Sequence, residues 1–136
     1  MLYQLHTGWV QGYVEGQEPV IYLVTSVQRI MESGAEFVFS DGHSIAGYTS
    51  WFADAGDLDQ VDWEAVYCNW WRDTEDDMDR QRRKQAEFLI HCKCDWDWIQ
   101  EIGVLNSAMK AEVENILRGF DIRLKRPVHI RRDWYY

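Results

Sequence analysis

Ten acidic residues and a single base, Arg72, lie between Asp54 and Asp79. So many like charges in one stretch do not pack by themselves, and most of it is expected to be loop. The stretch carries 1 − 10 = −9, which equals the formal net charge of the whole 136-residue chain. Outside it, 14 − 1 = 13 bases face 23 − 10 = 13 acids. The acidic average thus describes one region and leaves room for a local basic site that meets an anionic ligand.

A hydrophobic share of 46% and a charged share of 27% are those of an ordinary globular protein. They exclude a disordered chain, a collagen-like chain and a disulfide miniprotein. A single domain over residues 1–136 is expected, large enough to bury roughly 68% of its unfolded surface. No apolar run approaches the roughly 18 residues of a membrane span. Met1-Leu2-Tyr3 lacks the charged leader of a signal peptide, so a cytoplasmic location is expected, with no membrane partner. Cys68, Cys92 and Cys94 are odd in number and cannot all pair, and no tight zinc-ligand set accompanies them. They read as reduced thiols, with no metal expected. Eight Trp, seven Tyr and five Phe are the unusual count, serving either as core or as stacking surface.

The apolar run Val20–Val24 predicts a buried central strand. Thr25-Ser26 caps a short helix whose Val27, Ile30 and Met31 share a face, with Gly34 just beyond its end. Glu36 to Ser40 reads as a strand and Asp41-Gly42 as a turn. Asp54 to Asp62 reads as loop, Asp62 to Tyr67 as a short element, and Thr74 to Asp79 as a mobile, solvated excursion. Ala86 to Cys92 alternates, with Ala86, Phe88, Ile90 and Cys92 on one face and Glu87, Leu89 and His91 on the other. Asp95 is expected to cap a helix carrying Trp96, Trp98, Ile99 and Ile102. Ser107 caps another with Met109, Val113, Ile116 and Leu117 on one side, ended by Gly119. Pro127 to Tyr136 reads as a last strand, Val128 and Ile130 inward. The fold class is α+β, a mixed β-sheet with flanking short helices.

Chemistry concentrates in Arg80-Gln81-Arg82-Arg83-Lys84-Gln85-Ala86-Glu87-Phe88-Leu89. A carboxylate on a rigid strand beside a flexible loop is well placed to act on a ligand over which the loop closes. The same pattern also fits a solvent-facing glutamate after a solvated charge run. His91 shares the Glu87 face and reads as a hydrogen-bonded structural histidine. His6, His43 and His129 stand in no ligand spacing.

Arg83-Lys84-Gln85-Ala86-Glu87-Phe88-Leu89 resembles the DarT family, the DNA ADP-ribosyltransferase toxins of DarTG toxin–antitoxin systems. So do Gly16-Gln17-Glu18-Pro19, Leu58-Asp59-Gln60-Val61-Asp62-Trp63, Trp71-Arg72-Asp73, Ile102-Gly103-Val104 and Asp133-Trp134-Tyr135-Tyr136. With Met1-Leu2-Tyr3, these matches run in order along essentially the whole chain. The resemblance implies an ADP-ribosyltransferase-like fold and transfer of ADP-ribose from NAD, the co-substrate, to a base of single-stranded DNA, commonly thymidine. It makes Glu87 the catalytic carboxylate, which steadies an oxocarbenium-like ribose and accepts a proton from the attacking base nitrogen.

The stretch from about Trp51 to Lys84 takes the place of a substrate-reading loop. Trp70 and Trp71 either stack bases or pack into the core, and Arg72, Arg82, Arg83 and Lys84 are candidates to neutralise phosphates. Tyr48 and Thr49 fall where the family has a polar-aromatic pair. Tyr48, Thr49, Trp71, Arg72, Arg83 and Lys84 are accordingly the candidate DNA-binding residues. The family's NAD-gripping histidine strand and arginine lie ahead of the Met1-Leu2-Tyr3 match, so no cofactor-binding residue is assigned. The chain alone is then expected to be inactive or impaired as an enzyme, with a non-catalytic DNA- or antitoxin-binding remnant as the alternative. A macrodomain-type antitoxin is an implied partner, and an incomplete sheet edge predicts self-association.

Overall fold

The computed structural model describes residues 2–136, so Met1 of the Met1-Leu2-Tyr3 match lies outside the described residues. In chain order the elements are α1 (Leu2–His6), β1 (Tyr22–Val24), α2 (Val27–Ser33), β2 (Phe37–Ser40), β3 (Trp51–Phe52), α3 (Trp63–Tyr67), α4 (Arg80–Arg83), β4 (Phe88–Ile90), β5 (Glu101–Val104), α5 (Ser107–Arg118) and β6 (Val128–Ile130). Short 3-10 turns lie at Ala55–Gln60, Trp96–Trp98, Ile122–Leu124 and Arg132–Trp134. The class is α+β. Two compact units form, one from the residues up to Ile30 together with Asp95–Tyr136, the other from Met31–Cys94. No helix among the described residues is long and apolar enough to cross a membrane.

The first unit is built on a mixed sheet of order β1-β5-β6, with β1 antiparallel and β6 parallel to the central β5. Ile102 and Val104 of β5, Val113 of α5 and Val128 of β6 form its core, and Met109 and Leu117 pack against it. The Val20–Val24 run is not the central strand: β1 is an edge, and Leu23 is 50% exposed. An apolar run reports that a strand meets apolar neighbours, not which side of the sheet they occupy. Here Ile21 and Leu23 line an apolar groove of about 410 Å³ with Ile116 and Phe120. For the same reason Ile116 and Ile130 are exposed although their spacing predicts burial.

The helix expected after Asp95 is a single turn, Trp96–Trp98. Ile102 belongs instead to β5, whose Glu101–Val104 ladder outweighs the helical spacing of three tryptophan-flanking positions. The true N-cap of α5 is Asn106, whose side-chain oxygen accepts from Met109 N–H at 2.9 Å. Gly119 ends α5 in right-handed geometry, φ −74°. The last strand stops at Ile130, and Arg132–Trp134 turns. That turn folds two of the quoted motifs together. Tyr136 N–H donates to Gln17 Oε1 at 2.9 Å, Tyr22 Oη to Trp134 O at 2.8 Å, and Tyr135 Oη to Val20 O at 2.7 Å. Burial pushes the Tyr135 phenol up to about 12.

The second unit is an antiparallel sheet of order β3-β2-β4. Phe39 pairs with Phe52 on one side and Phe88 on the other, and Phe37 with Ile90. Strand alternation stacks the phenylalanines on one face: Phe37–Phe88 centroids are 4.9 Å apart and Phe39–Phe52 5.3 Å. Val38, Trp51 and Leu89 alternate onto the other face and are exposed. Helix α2 follows the sequence reading. Ser26 Oγ accepts from Arg29 N–H at 3.2 Å at the start of α2, and Gly34, φ +72°, adopts the left-handed conformation after its end.

Candidate active site

Glu87 lies one residue before β4, opposite Ser40 in the extension of the β2–β4 register. Ser40 N–H donates to Glu87 O at 2.9 Å, and Glu87 N–H donates to Ser40 Oγ at 3.1 Å. Ser40 is fully buried, and its hydroxyl donates to Gly42 O at 2.6 Å. The backbone of Glu87 is thus gripped from both sides at the end of a rigid ladder. Its half-buried side chain falls on the face of Val38, Trp51 and Leu89. No described side chain donates to its carboxylate or pairs with it. A fixed, ionisable group whose oxygens have no protein partner is available to a ligand.

The loop 41–50 joins β2 to β3 and is closed on itself. Asp41 N–H donates to Ser50 O at 3.2 Å, and Ser50 N–H returns to Asp41 Oδ1 at 3.0 Å. Thr49 Oγ1 donates to His43 O at 2.7 Å. Arg82 packs across this loop. Its guanidinium donates to Asp41 Oδ1 at 2.8 Å and to Asp79 Oδ1 and Oδ2 at 2.8 Å, and lies 5.0 Å from the Tyr48 ring centroid. Tyr48 Oη donates to Asp79 Oδ1 at 3.1 Å, and that bond holds the phenol above its ordinary value. Between the loop and the 73–85 segment lies a cleft of about 290 Å³, lined by His43, Tyr48, Met78, Asp79, Arg82 and Gln85.

Gly42 is obligatory in this arrangement. A Cβ there would stand 2.3 Å from Arg82 NH1 and 2.9 Å from the Arg82 carbonyl oxygen. Gly42→Ala is expected to cost about 1–3 kcal/mol, as overpacking does. A chemical-denaturation midpoint equal to the parent's would contradict this.

The region expected to be a mobile excursion is instead held by ion pairs. Thr74 and Asp77 close a turn through N–H···O bonds of 3.0 and 3.2 Å. Asp77 accepts from Arg80 at 2.9 Å, and Arg83 pairs with Asp62 and Asp77. Asp77–Arg80 and Asp79–Arg82 stand three residues apart and Asp79–Arg83 four apart, the spacings that meet on a helical turn. Counting the acids to Asp79 and the bases from Arg80 as separate runs divides partners from each other. The Arg80 and Arg82 hydrogen bonds hold the Asp77 and Asp79 carboxyls below the ordinary aspartate value. Their folded values lie below the unfolded one, so the contribution to stability is complete above about pH 4 and is lost as pH falls through the folded values. Carboxyl ¹³C titration is expected to give Asp79 a midpoint under 3.8; a midpoint above it would mean the Arg82 pair does not persist in solution.

The candidate DNA-binding residues separate into three groups. Tyr48 lines the cleft, whereas Thr49 is turned into the 41–50 loop, its hydroxyl on His43 O. Arg83 and Lys84 have internal partners: Lys84 Nζ donates to the carbonyls of Ala65 at 3.3 Å, Val66 at 2.9 Å and Cys68, closing the end of α3. Burial lowers the Lys84 ammonium below its ordinary value. Trp71 lies under that ammonium, 4.9 Å from ring centroid to Nζ, and both Trp70 and Trp71 are exposed, not core. Arg72 is exposed with no ion pair among the described residues. His91 is largely exposed, its Nδ1 3.2 Å from Glu36 Oε2. Arg82 was foreseen only as a phosphate neutraliser, and Ser40, Asp41, His43 and Asp79 were not foreseen at all. Asp79 pairs locally with Arg82, three residues on, but Ser40 with Glu87 and Asp41 with Arg82 pair across 47 and 41 residues, which no local spacing carries.

A family model described as "ssDNA thymidine ADP-ribosyltransferase, DarT" matches residues 1–136. A DNA ADP-ribosyl transferase of Thermus sp. (strain 2.9) is 38% identical over 136 residues, which is 100% of this chain and 63% of that protein. Among solved structures, Thermus sp. 2.9 DarT in complex with NAD+ superposes with a TM-score of 0.91 at 36% identity, covering 99% of this chain and 66% of that one. The same protein in complex with ADP-ribosylated single-stranded DNA also gives 0.91 at 36% identity, over 99% of this chain and 63% of the other. The chain therefore spans about three fifths of the length of these relatives. On the family model over its whole length and on this likeness in sequence and fold, the chain belongs to the DarT family.

Proposed function

We propose that this chain carries the catalytic carboxylate and the DNA-side cleft of an NAD-dependent ADP-ribosyltransferase that modifies a thymidine base in single-stranded DNA, acting as a toxin. The observation that carries this reading is Glu87, with its backbone gripped by Ser40 and its carboxylate unpartnered. The ligands of the Thermus structures, NAD+ and ADP-ribosylated single-stranded DNA, support the same substrates here.

The chemistry follows from charge. The bond between the anomeric carbon and nicotinamide breaks with its electron pair left on the pyridine nitrogen, so nicotinamide departs neutral and the ribose becomes cationic. A fixed carboxylate steadies that cation without reorganising. A thymidine nitrogen then bonds to the anomeric carbon, and its proton passes to Glu87. Tyr48 offers a ring to the base, and exposed Trp70 and Trp71 with Arg72 offer stacking and charge to the flanking strand. A macrodomain-type antitoxin is the partner that this toxin reading implies.

Labelled NAD and three oligonucleotides, added to the chain together with the family's NAD-binding segment, test the reading: a thymidine-containing single strand, a thymidine-free single strand, and a duplex. Label is expected on the first alone. Binding of single strands with no label transferred to any of them would favour the non-catalytic module.

A further inference from the structure

Arg82 stands where the 41–50 loop, the cleft and α4 meet, and its side chain is 12% exposed. Its NH1 donates to Asp41 at 2.8 Å and to Thr49 Oγ1 at 3.4 Å, at the two ends of the loop. Its Nε and NH2 donate to Asp79 at 2.8 Å. Asp79 also receives the Tyr48 hydroxyl, and the Tyr48 ring lies against the guanidinium. The Arg82 carbonyl accepts from His43 N–H at 2.9 Å, so main chain and side chain hold the same loop. The Tyr48 side chain makes its polar contacts with Arg82 and with Asp79, a carboxylate that Arg82 holds. A guanidinium engaged in this way has little left to offer a phosphate.

We propose that Arg82 is a positioning residue for nucleic-acid binding, locking the 41–50 loop so that the Tyr48 ring stands as a fixed wall for a nucleobase. This rests on the reading of the cleft as the DNA side. Preorganisation of a wall cuts the ordering cost that the ligand otherwise meets on binding. Lysine cannot replace arginine here, because a single ammonium does not span Asp41 and Asp79 as a planar fork does.

The test is anisotropy of a fluorescein-labelled, thymidine-containing single strand with the full chain and its Arg82→Lys, Arg82→Gln and Asp41→Asn variants, over a range of salt. All three variants are expected to bind about 10-fold more weakly, the order of one lost base stack, with an unchanged salt slope. Tyr48, followed by NMR, is expected to titrate differently in the Arg82 variants, because both the guanidinium that lowers its pKa and the grip that holds Asp79 beside its hydroxyl are altered. Unchanged amide exchange across the β2–β4 ladder shows that the variants are folded. Recovery in Arg82→Lys, with a slope reduced by about 0.7 in Arg82→Gln, would instead make Arg82 a direct phosphate contact and overturn the proposal. Parent-like affinity in all three variants would also overturn it. Tyr48→Ala separates the two levels. If it weakens binding while the Arg82 variants do not, only the positioning role fails. If it binds as the parent does, the DNA-side reading of the cleft fails and the positioning role falls with it.

Discussion

Glu87→Gln is expected to leave the fold intact and to lower ADP-ribose transfer by about 10²- to 10⁴-fold, the range for a lost charge-stabilising or proton-accepting group. The amide keeps the size and shape of the side chain. It also keeps the backbone bonds to Ser40, which do not involve the carboxylate. Because no described side chain pairs with that carboxylate, its removal leaves no buried cation unpaired. The change therefore acts on the sugar cation and not on stability. Thermal unfolding alongside single-turnover transfer to an oligonucleotide makes the comparison. A variant that transfers at the parent rate would remove Glu87 from the chemistry, and one that unfolds well below the parent would show that its carboxylate has a structural partner.

Phe39→Ala is expected to cost about 3–5 kcal/mol, the usual consequence of emptying an aromatic site in a core. Phe39 is 1% exposed at the centre of β2 and stacks on Phe52 and Phe88 of both neighbouring strands. Its loss weakens both edges of the sheet at once. That cost is a large part of the roughly 5–15 kcal/mol that holds a typical domain together. A fall in Tm of the order of 10 °C or more follows for a chain of this size. Ser40 is the next residue along β2, so the grip on Glu87 loosens as well. A drop in Tm of only a degree or two would show that the phenylalanine stack is not the core of this unit.

Much of the ladder around Glu87 was legible beforehand. The alternation read from Ala86 to Cys92 holds for Phe88 and Ile90 on one face and Glu87 and Leu89 on the other, as the Phe37–Phe88 stack shows, but the strand ends at Ile90 and Cys92, φ +63°, turns out of it. The start of α2 at Ser26 and the left-handed Gly34 were equally readable, because caps are local chemistry. The acidic stretch is not solvent-exposed throughout, as its charge alone suggests. Asp62, Asp77 and Asp79 face Arg80, Arg82 and Arg83, and the ion pairs hold the 73–85 segment in place.

What the amino-acid order determined alone was periodicity, capping and the family motif that singles out position 87, all of them properties of neighbours within a few residues. What only the folded chain decided was which apolar run lies at a sheet edge, which arginine is consumed by carboxylates, and that Gly42 must lack a Cβ under Arg82. Those outcomes depend on contacts between residues far apart in the chain, such as Asp41 with Arg82, 41 positions away. Such contacts come into being only when the loop between them closes, and the entropy of closing it is repaid by packing that no local pattern reports.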